Sequence, residues 1–224
     1  MIRHTSPLVG KGICYGQSDL SLAETFQDEL DFLKWNLPEQ FDAVYTSPLK
    51  RCSILAEKLS TTNLFTDARL LELNFGEWEM RKWQDIDQIR LNEWMADFVS
   101  CKIPGGESFL DLSYRADQFM VELMQTPFEN VAVVAHGGII RYIVTKILEI
   151  PLKNAFKLPI DYSSITRLHF NKDSSYNSLK ELNKNYYSKL GTASIKYDQS
   201  KTDKNAIIKA INATGYKAEG ELKP

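Results

Sequence analysis

Two of the three histidines in the chain stand where a predicted β-strand gives way to a loop. His4 directly follows Arg3 near the first residue, and Pro7 then stops regular pairing. His136 follows the apolar run 131–135 and precedes two glycines. In an open α/β sheet, ligands bind at the carboxyl ends of the strands. The two imidazoles therefore indicate a functional site at that edge of a sheet.

A histidine beside an arginine is suited to phosphoryl chemistry. A neutral imidazole attacks phosphorus well once the oxygen charges are neutralised, and the guanidinium fork does this better than an ammonium group. Arg3 and Arg51 are the candidates, and Arg51 lies in the predicted first turn of a helix, which also favours an anion. Two plainer alternatives stay open, with His4 at an exposed strand end and His136 as a hydrogen-bonded core residue. Arg141, one turn after His136, is either a functional residue or a solvated helix residue, and we interpret it as the latter.

The leaving oxygen of a phosphate ester needs a proton, which a carboxylic acid beside bound phosphate can supply. Glu72, Glu77 and Glu79 are candidates, because they lie close together among large apolar residues. The spacing does not choose among the three. A turn that carries solvated carboxylates explains the same pattern equally well.

The order of predicted elements indicates how these residues are positioned. Short apolar runs alternate with segments of helical spacing, a pattern typical of a largely parallel sheet. The predicted strands are 42–46, 64–66 and 131–135, followed by an alternating and possibly antiparallel run at 164–170. We therefore expect an α/β protein of three layers (α/β/α) with a mostly parallel sheet.

Composition narrows the possible partners. The 224 residues are 43% hydrophobic and 25% charged, with a net charge of −2, which gives no bulk attraction to nucleic acid or to anionic membranes. No apolar run is long enough to span a bilayer, and no signal peptide is evident. The three cysteines are far apart and no metal-ligand spacing occurs. We expect a cytoplasmic protein that acts on a small phosphorylated molecule without a metal or other cofactor.

The character of the sequence changes near residue 171, where a polar break precedes a stretch rich in lysine and asparagine. We therefore predict a main domain over residues 1–170 and a C-terminal extension over residues 171–224.

Five stretches, taken in order, resemble the histidine phosphatase superfamily and its phosphoglycerate-mutase-like fold over residues 1–170. They are Ile2–Thr5, Ser47–Cys52, Leu71–Glu79, Pro104–Ser108 and Ala135–Gly138. The resemblance implies that His4 is the phosphorylated nucleophile and that no metal takes part. It further implies phosphoryl binding by Arg3, Arg51 and His136, and it assigns the acid/base role to Glu72.

Within the superfamily, residues 12–19 and 75–79 resemble the α-ribazole phosphatases of cobalamin synthesis. This implies removal of the 5′-phosphate from α-ribazole 5′-phosphate. Two alternatives within enzymes are a broad-specificity phosphatase and a phosphoglycerate mutase, and the compact segment between Glu72 and His136 favours hydrolysis. A phospho-ligand or metal-binding module without catalysis is the alternative from another class.

Three features depart from the superfamily pattern. Thr5 stands where the motif usually has glycine, a variant that suits the α-ribazole branch. The predicted first strand is unusually short, which suggests a truncated start and a weakened hold on His4. Residues 193–202 and 210–216 resemble the second half of a heavy-metal-associated domain. The metal-binding Cys-x-x-Cys of that domain is missing, so we expect no metal function in the extension.

Overall fold

A six-stranded mixed sheet organises the protein. The computed structural model describes residues 1–171 and 174–186. The spatial order of the strands is β3-β2-β4-β1-β5-β6. Their bounds are β1 Ile2–Arg3, β2 Ala43–Thr46, β3 Leu64–Thr66, β4 Val131–Ala135, β5 Ile165–His169 and β6 Ser178–Lys184. The first four strands pair in parallel, whereas β5 and β6 are antiparallel additions at one side.

Helices cover both faces of the sheet. The α-helices of the described residues are α1 Phe26–Asn36, α2 Lys50–Ala56, α3 Gln88–Ala96, α4 Phe109–Leu123 and α5 Gly137–Ile147. Alternate residues of β4 point to opposite sides, as strand geometry requires. Val133 packs with α4 and α5 on one face, whereas Val134 packs with α1 and α2 on the other. The predicted three-layer α/β fold with a mostly parallel sheet is confirmed.

The short strand β1 is held from both sides despite its two residues. The Arg3 amide donates to the Ser164 carbonyl at 3.0 Å, and the His4 amide donates to the Ala135 carbonyl at 3.1 Å. The His4 carbonyl in turn accepts from the Ser163 amide at 3.1 Å. These backbone hydrogen bonds fix His4 between β4 and the segment that leads into β5.

The sheet continues past residue 170, where the sequence predicted a boundary. β6 pairs antiparallel with β5, so the sheet includes residues on both sides of the polar break at 171–175. The chain divides into Met1–Tyr186 and Tyr187–Pro224, and the described residues all belong to the first unit. The segments 193–202 and 210–216, which resemble a heavy-metal-associated domain, lie outside the described residues. Over the described ranges, no helix has the length and apolarity needed to cross a membrane.

Candidate active site

His4 is buried at the carboxyl end of β1 with one ring nitrogen already engaged. Its Nδ1 lies 2.7 Å from the carbonyl oxygen of Thr5, and because a carbonyl only accepts, Nδ1 carries the proton. Nε2 therefore has a free lone pair. Burial, and then the charges of Arg3 and Arg51, hold the pKa of His4 well below its usual value. The imidazole is neutral at neutral pH, which is the form that can act as a nucleophile.

His136 lies beside His4, at the end of β4 and the beginning of α5. The two ring centroids are 5.1 Å apart, and His136 is fully buried. Its Nε2 is 2.8 Å from the Ser47 hydroxyl. Burial, followed by the nearby His4 and Arg51, lowers the pKa of His136 well below its usual value. The site therefore contains two neutral imidazoles.

Arg51 and Arg3 supply the positive charge around the two histidines. Arg51 is fully buried, and its Nη1 and Nη2 donate to the carbonyls of Ser18 and Gly16. Among the described residues, the Nε atoms of both arginines are buried without a hydrogen-bond partner. A buried donor without a partner costs about 1–3 kcal/mol. These two donors are therefore available for an anion that enters the site.

Two tyrosines flank the arginines. The Arg3 guanidinium lies 4.0 Å from the ring centre of Tyr162, and that of Arg51 lies 5.5 Å from the ring centre of Tyr15. The two phenol hydroxyls hydrogen-bond to each other. Nothing in the sequence indicated Tyr162, because this residue belongs to no recognisable motif. It lies beside Arg3 because the segment before β5 passes the site.

The structure separates the three candidate carboxylates. Glu72 reaches the N-terminus of α5, where its Oε1 and Oε2 lie 3.1 and 3.2 Å from the amide nitrogen of Gly138. Glu79 instead binds the backbone amides of Gln17 and Ser18, so it shapes the preceding loop. Glu77 is exposed. Only Glu72 of the three lies against the helix that begins after His136.

A partly buried arginine holds the segment that carries Glu72. Arg115 on α4 donates to the carbonyls of Arg69, Leu71 and Glu72. Its guanidinium also forms an ion pair with Glu107 at 3.0 Å. The sequence showed Glu107 in a turn motif but gave no signal for Arg115, whose partners are carbonyls more than forty positions away.

Arg141 is not the solvated residue that the sequence suggested, and that interpretation is wrong. Its side chain is partly buried on α5, with Nε donating to the Leu158 carbonyl at 3.1 Å. A Cβ at Gly137 would lie 2.7 Å from its Nη1 and 3.5 Å from Cζ of Arg3. Burial, and then Arg3, lowers the pKa of Arg141. A third guanidinium thus stands at the edge of the site.

Gly138 offers a test of the position of Glu72. A Cβ at this residue would lie 2.3 Å from Glu72 Oε1, so Gly138→Ala must displace the carboxylate. A misplacement of this kind costs about 10- to 100-fold in kcat/KM. Steady-state kinetics of phosphate release will measure this loss in kcat/KM. Gly10→Ala is the matched control, because a Cβ there meets only Ile13 at 3.5 Å. Unchanged kinetics of the Gly138→Ala variant would contradict this position for Glu72.

No cluster of three or more histidine, cysteine, aspartate or glutamate side chains with metal-binding geometry occurs within the ranges 1–171 and 174–186. Cys52 lies near His136, with its Sγ 3.5 Å from Nε2. Burial raises the pKa of the Cys52 thiol well above its usual value, so the thiol stays protonated and is a poor nucleophile.

The comparisons with known proteins agree with this arrangement. A model of the histidine phosphatase superfamily (branch 1) matches residues 1–185. The chain therefore belongs to the histidine phosphatase superfamily, and it is a phosphatase. The match extends through β6, as the sheet does.

The names of individual relatives refer to two different substrates. A Hydrogenobacter thermophilus protein named "Putative phosphoserine phosphatase 2" is 32% identical over 197 residues, which cover 82% of this chain and 94% of the relative. The adenosylcobalamin/alpha-ribazole phosphatase of Escherichia coli is 25% identical over 150 residues, or 64% of this chain and 73% of the relative. The crystal structure of the alpha-ribazole phosphatase from Shigella flexneri superimposes with a TM-score of 0.73 at 23% identity, covering 81% of this chain and 94% of that one.

Proposed function

We propose that the protein hydrolyses small phosphomonoesters through a phosphohistidine on His4. The observation that carries this proposal is the neutral His4 ring, with Nδ1 committed to Thr5, beside the unpartnered Nε atoms of Arg3 and Arg51. Nε2 forms a bond to phosphorus while the bond from phosphorus to the ester oxygen breaks. Glu72, in its protonated form, donates its proton to the departing alkoxide.

The second step reverses these roles. Glu72, now a carboxylate, removes a proton from water, and the water oxygen bonds to phosphorus while the bond to Nε2 breaks. Inorganic phosphate is released and both residues return to their starting forms. Arg3, Arg51 and His136 hold the phosphoryl oxygens throughout, since charge stabilisation is the main task of the protein in phosphoryl transfer.

The first candidate substrate is α-ribazole 5′-phosphate. It is supported by the resemblance of residues 12–19 and 75–79 to that branch and by the Escherichia coli relative. The second candidate is phosphoserine, which is favoured by the relative from Hydrogenobacter thermophilus and by the third guanidinium at the site. The two leaving groups differ in their ionised groups, because the riboside has none and serine has both an ammonium and a carboxylate.

The test is phosphate release from a panel of esters in the presence of EDTA. The panel contains α-ribazole 5′-phosphate, O-phosphoserine, 3-phosphoglycerate and p-nitrophenyl phosphate. We expect turnover without added metal and a preference for one of the first two substrates. Rearrangement of 3-phosphoglycerate without free phosphate would show a mutase instead. Binding of the esters without any turnover would show a phospho-ligand module and overturn the proposal.

A further inference from the structure

The positive charge at the site exceeds what one phosphoryl group needs. Among the residues described, none of Arg3, Arg51 and Arg141 has a carboxylate oxygen within ion-pair distance. Arg69 and Arg115, which are also withdrawn from solvent, each form an ion pair with a carboxylate. Since buried charges are normally paired, the three guanidiniums at the site indicate anions that come from outside the chain.

The charges can be assigned one by one. Two guanidiniums, Arg3 and Arg51, match a phosphomonoester dianion, because His4 and His136 are neutral. Glu72 also acts on Arg141, but its carboxylate oxygens accept from the backbone amides of Leu73 and Gly138, and among the described residues it forms no ion pair with Arg141. The balance leaves one guanidinium, that of Arg141, without a counter-ion in the substrate complex.

The Arg141 side chain is held in place, which distinguishes it from a mobile surface group. Its Nε donates to the Leu158 carbonyl, and its Cζ lies 5.3 Å from the ring centre of Phe156. Nη1 lies on the Gly137 side, close to Arg3. Asp161 also acts on Arg141, but its carboxylate accepts from the side-chain amides of Asn183 and Asn185 instead of forming an ion pair.

The guanidiniums of Arg3 and Arg141 both lie near Gly137 and repel each other. An anion between or beside them offsets this repulsion. A carboxylate matches the guanidinium fork in shape as well as in charge. Arg3 binds the phosphoryl group in the proposed mechanism, so the second anion belongs on the leaving-group side, toward Arg141.

We propose that Arg141 binds a carboxylate on the leaving alcohol, so that the preferred substrates are short phosphomonoesters with an acidic group close to the phosphate. This inference rests on the proposed function and selects among its substrates. O-Phosphoserine belongs to the class, and a neutral riboside does not. The competing explanation is that Arg141 only ties residues 156–158 to α5.

The experiment compares O-phosphoserine with O-phosphoethanolamine, which has the same amino group and lacks the carboxylate. We expect the protein to prefer O-phosphoserine by about 10- to 100-fold in kcat/KM, the value of a charge-assisted contact. Arg141→Gln should abolish this preference, mainly by raising KM for O-phosphoserine, and should change kcat/KM for O-phosphoethanolamine much less. Arg141→Lys keeps the charge and should retain part of the preference.

Lys146→Gln is the control, because Lys146 is an exposed cation on the same helix, paired with Asp117. Equal turnover of the two esters by the unmodified protein would overturn the inference, and so would an Arg141→Gln variant that loses both activities in proportion. Hydrolysis of p-nitrophenyl phosphate reports on the proposed chemistry alone. If p-nitrophenyl phosphate is hydrolysed and the two esters are turned over equally, the carboxylate site is refuted while the proposed function stands. The absence of p-nitrophenyl phosphate hydrolysis would refute both.

Discussion

Replacement of His4 by alanine is expected to reduce kcat/KM for every phosphomonoester by about 10⁴-fold or more, as the loss of a nucleophile typically does. The side chain is buried and neutral, and its free Nε2 has no substitute nearby. His136 has its Nε2 engaged with Ser47, and the Cys52 thiol is protonated. No neighbouring group can therefore take over the attack on phosphorus.

Two measurements check this result. Steady-state phosphate release gives the loss of rate, and rapid acid-free quenching with radiolabelled substrate detects phosphate on the protein before turnover is complete. His169→Ala is the matched control, because His169 is the exposed third histidine on β5. A His4→Ala variant that kept the rate, or that still became labelled, would exclude His4 as the nucleophile.

Glu72→Gln is expected to have the second largest effect, and its size should depend on the leaving group. General acid catalysis contributes about 10²- to 10⁴-fold when the departing alkoxide needs a proton. We expect a loss in that range for alkyl phosphates. The loss in the phosphorylation step should be much smaller for p-nitrophenyl phosphate, whose phenolate leaves without a proton.

Burst kinetics separate the two steps that Glu72 serves. With p-nitrophenyl phosphate, the Glu72→Gln variant should release the first equivalent of phenolate quickly and then turn over slowly, because the water in the second step lacks its base. Glu77→Gln is the control, since Glu77 is exposed and five residues further along the chain. Equal losses for alkyl and aryl esters, with no burst, would assign Glu72 a role other than proton transfer.

The strands were predictable because their signals are local. The runs 64–66 and 131–135 coincide with β3 and β4, and the alternating run near residue 165 is the antiparallel β5. Helix beginnings were less certain. The spacing of Ser21 and Glu24 matches a capping box that would start the first helix near Ser21, whereas the helix begins at Phe26 after Thr25. The first turn of a helix depends on contacts made elsewhere in the chain, and sequence spacing does not contain them.

The distinction between local sequence signals and contacts between distant residues applies to the site as well. Two histidines at the ends of predicted parallel strands had to meet at one sheet edge, and their rings lie 5.1 Å apart. The choice of Glu72 over Glu77 and Glu79 could not be made from spacing, since all three lie within one short segment. It follows from where that segment crosses the beginning of α5.

The sequence by itself determined the α/β class and the superfamily, because these depend on local patterns and on motifs in a fixed order. From the same motifs it predicted a site that contains Arg3, His4, Arg51, Glu72 and His136. Only the tertiary structure showed that Arg115 anchors the segment that carries Glu72 and that Arg141 joins the cluster. Those relations are contacts between residues far apart in the chain, and a side chain's burial and charge environment exist only once the sheet has brought its partners together.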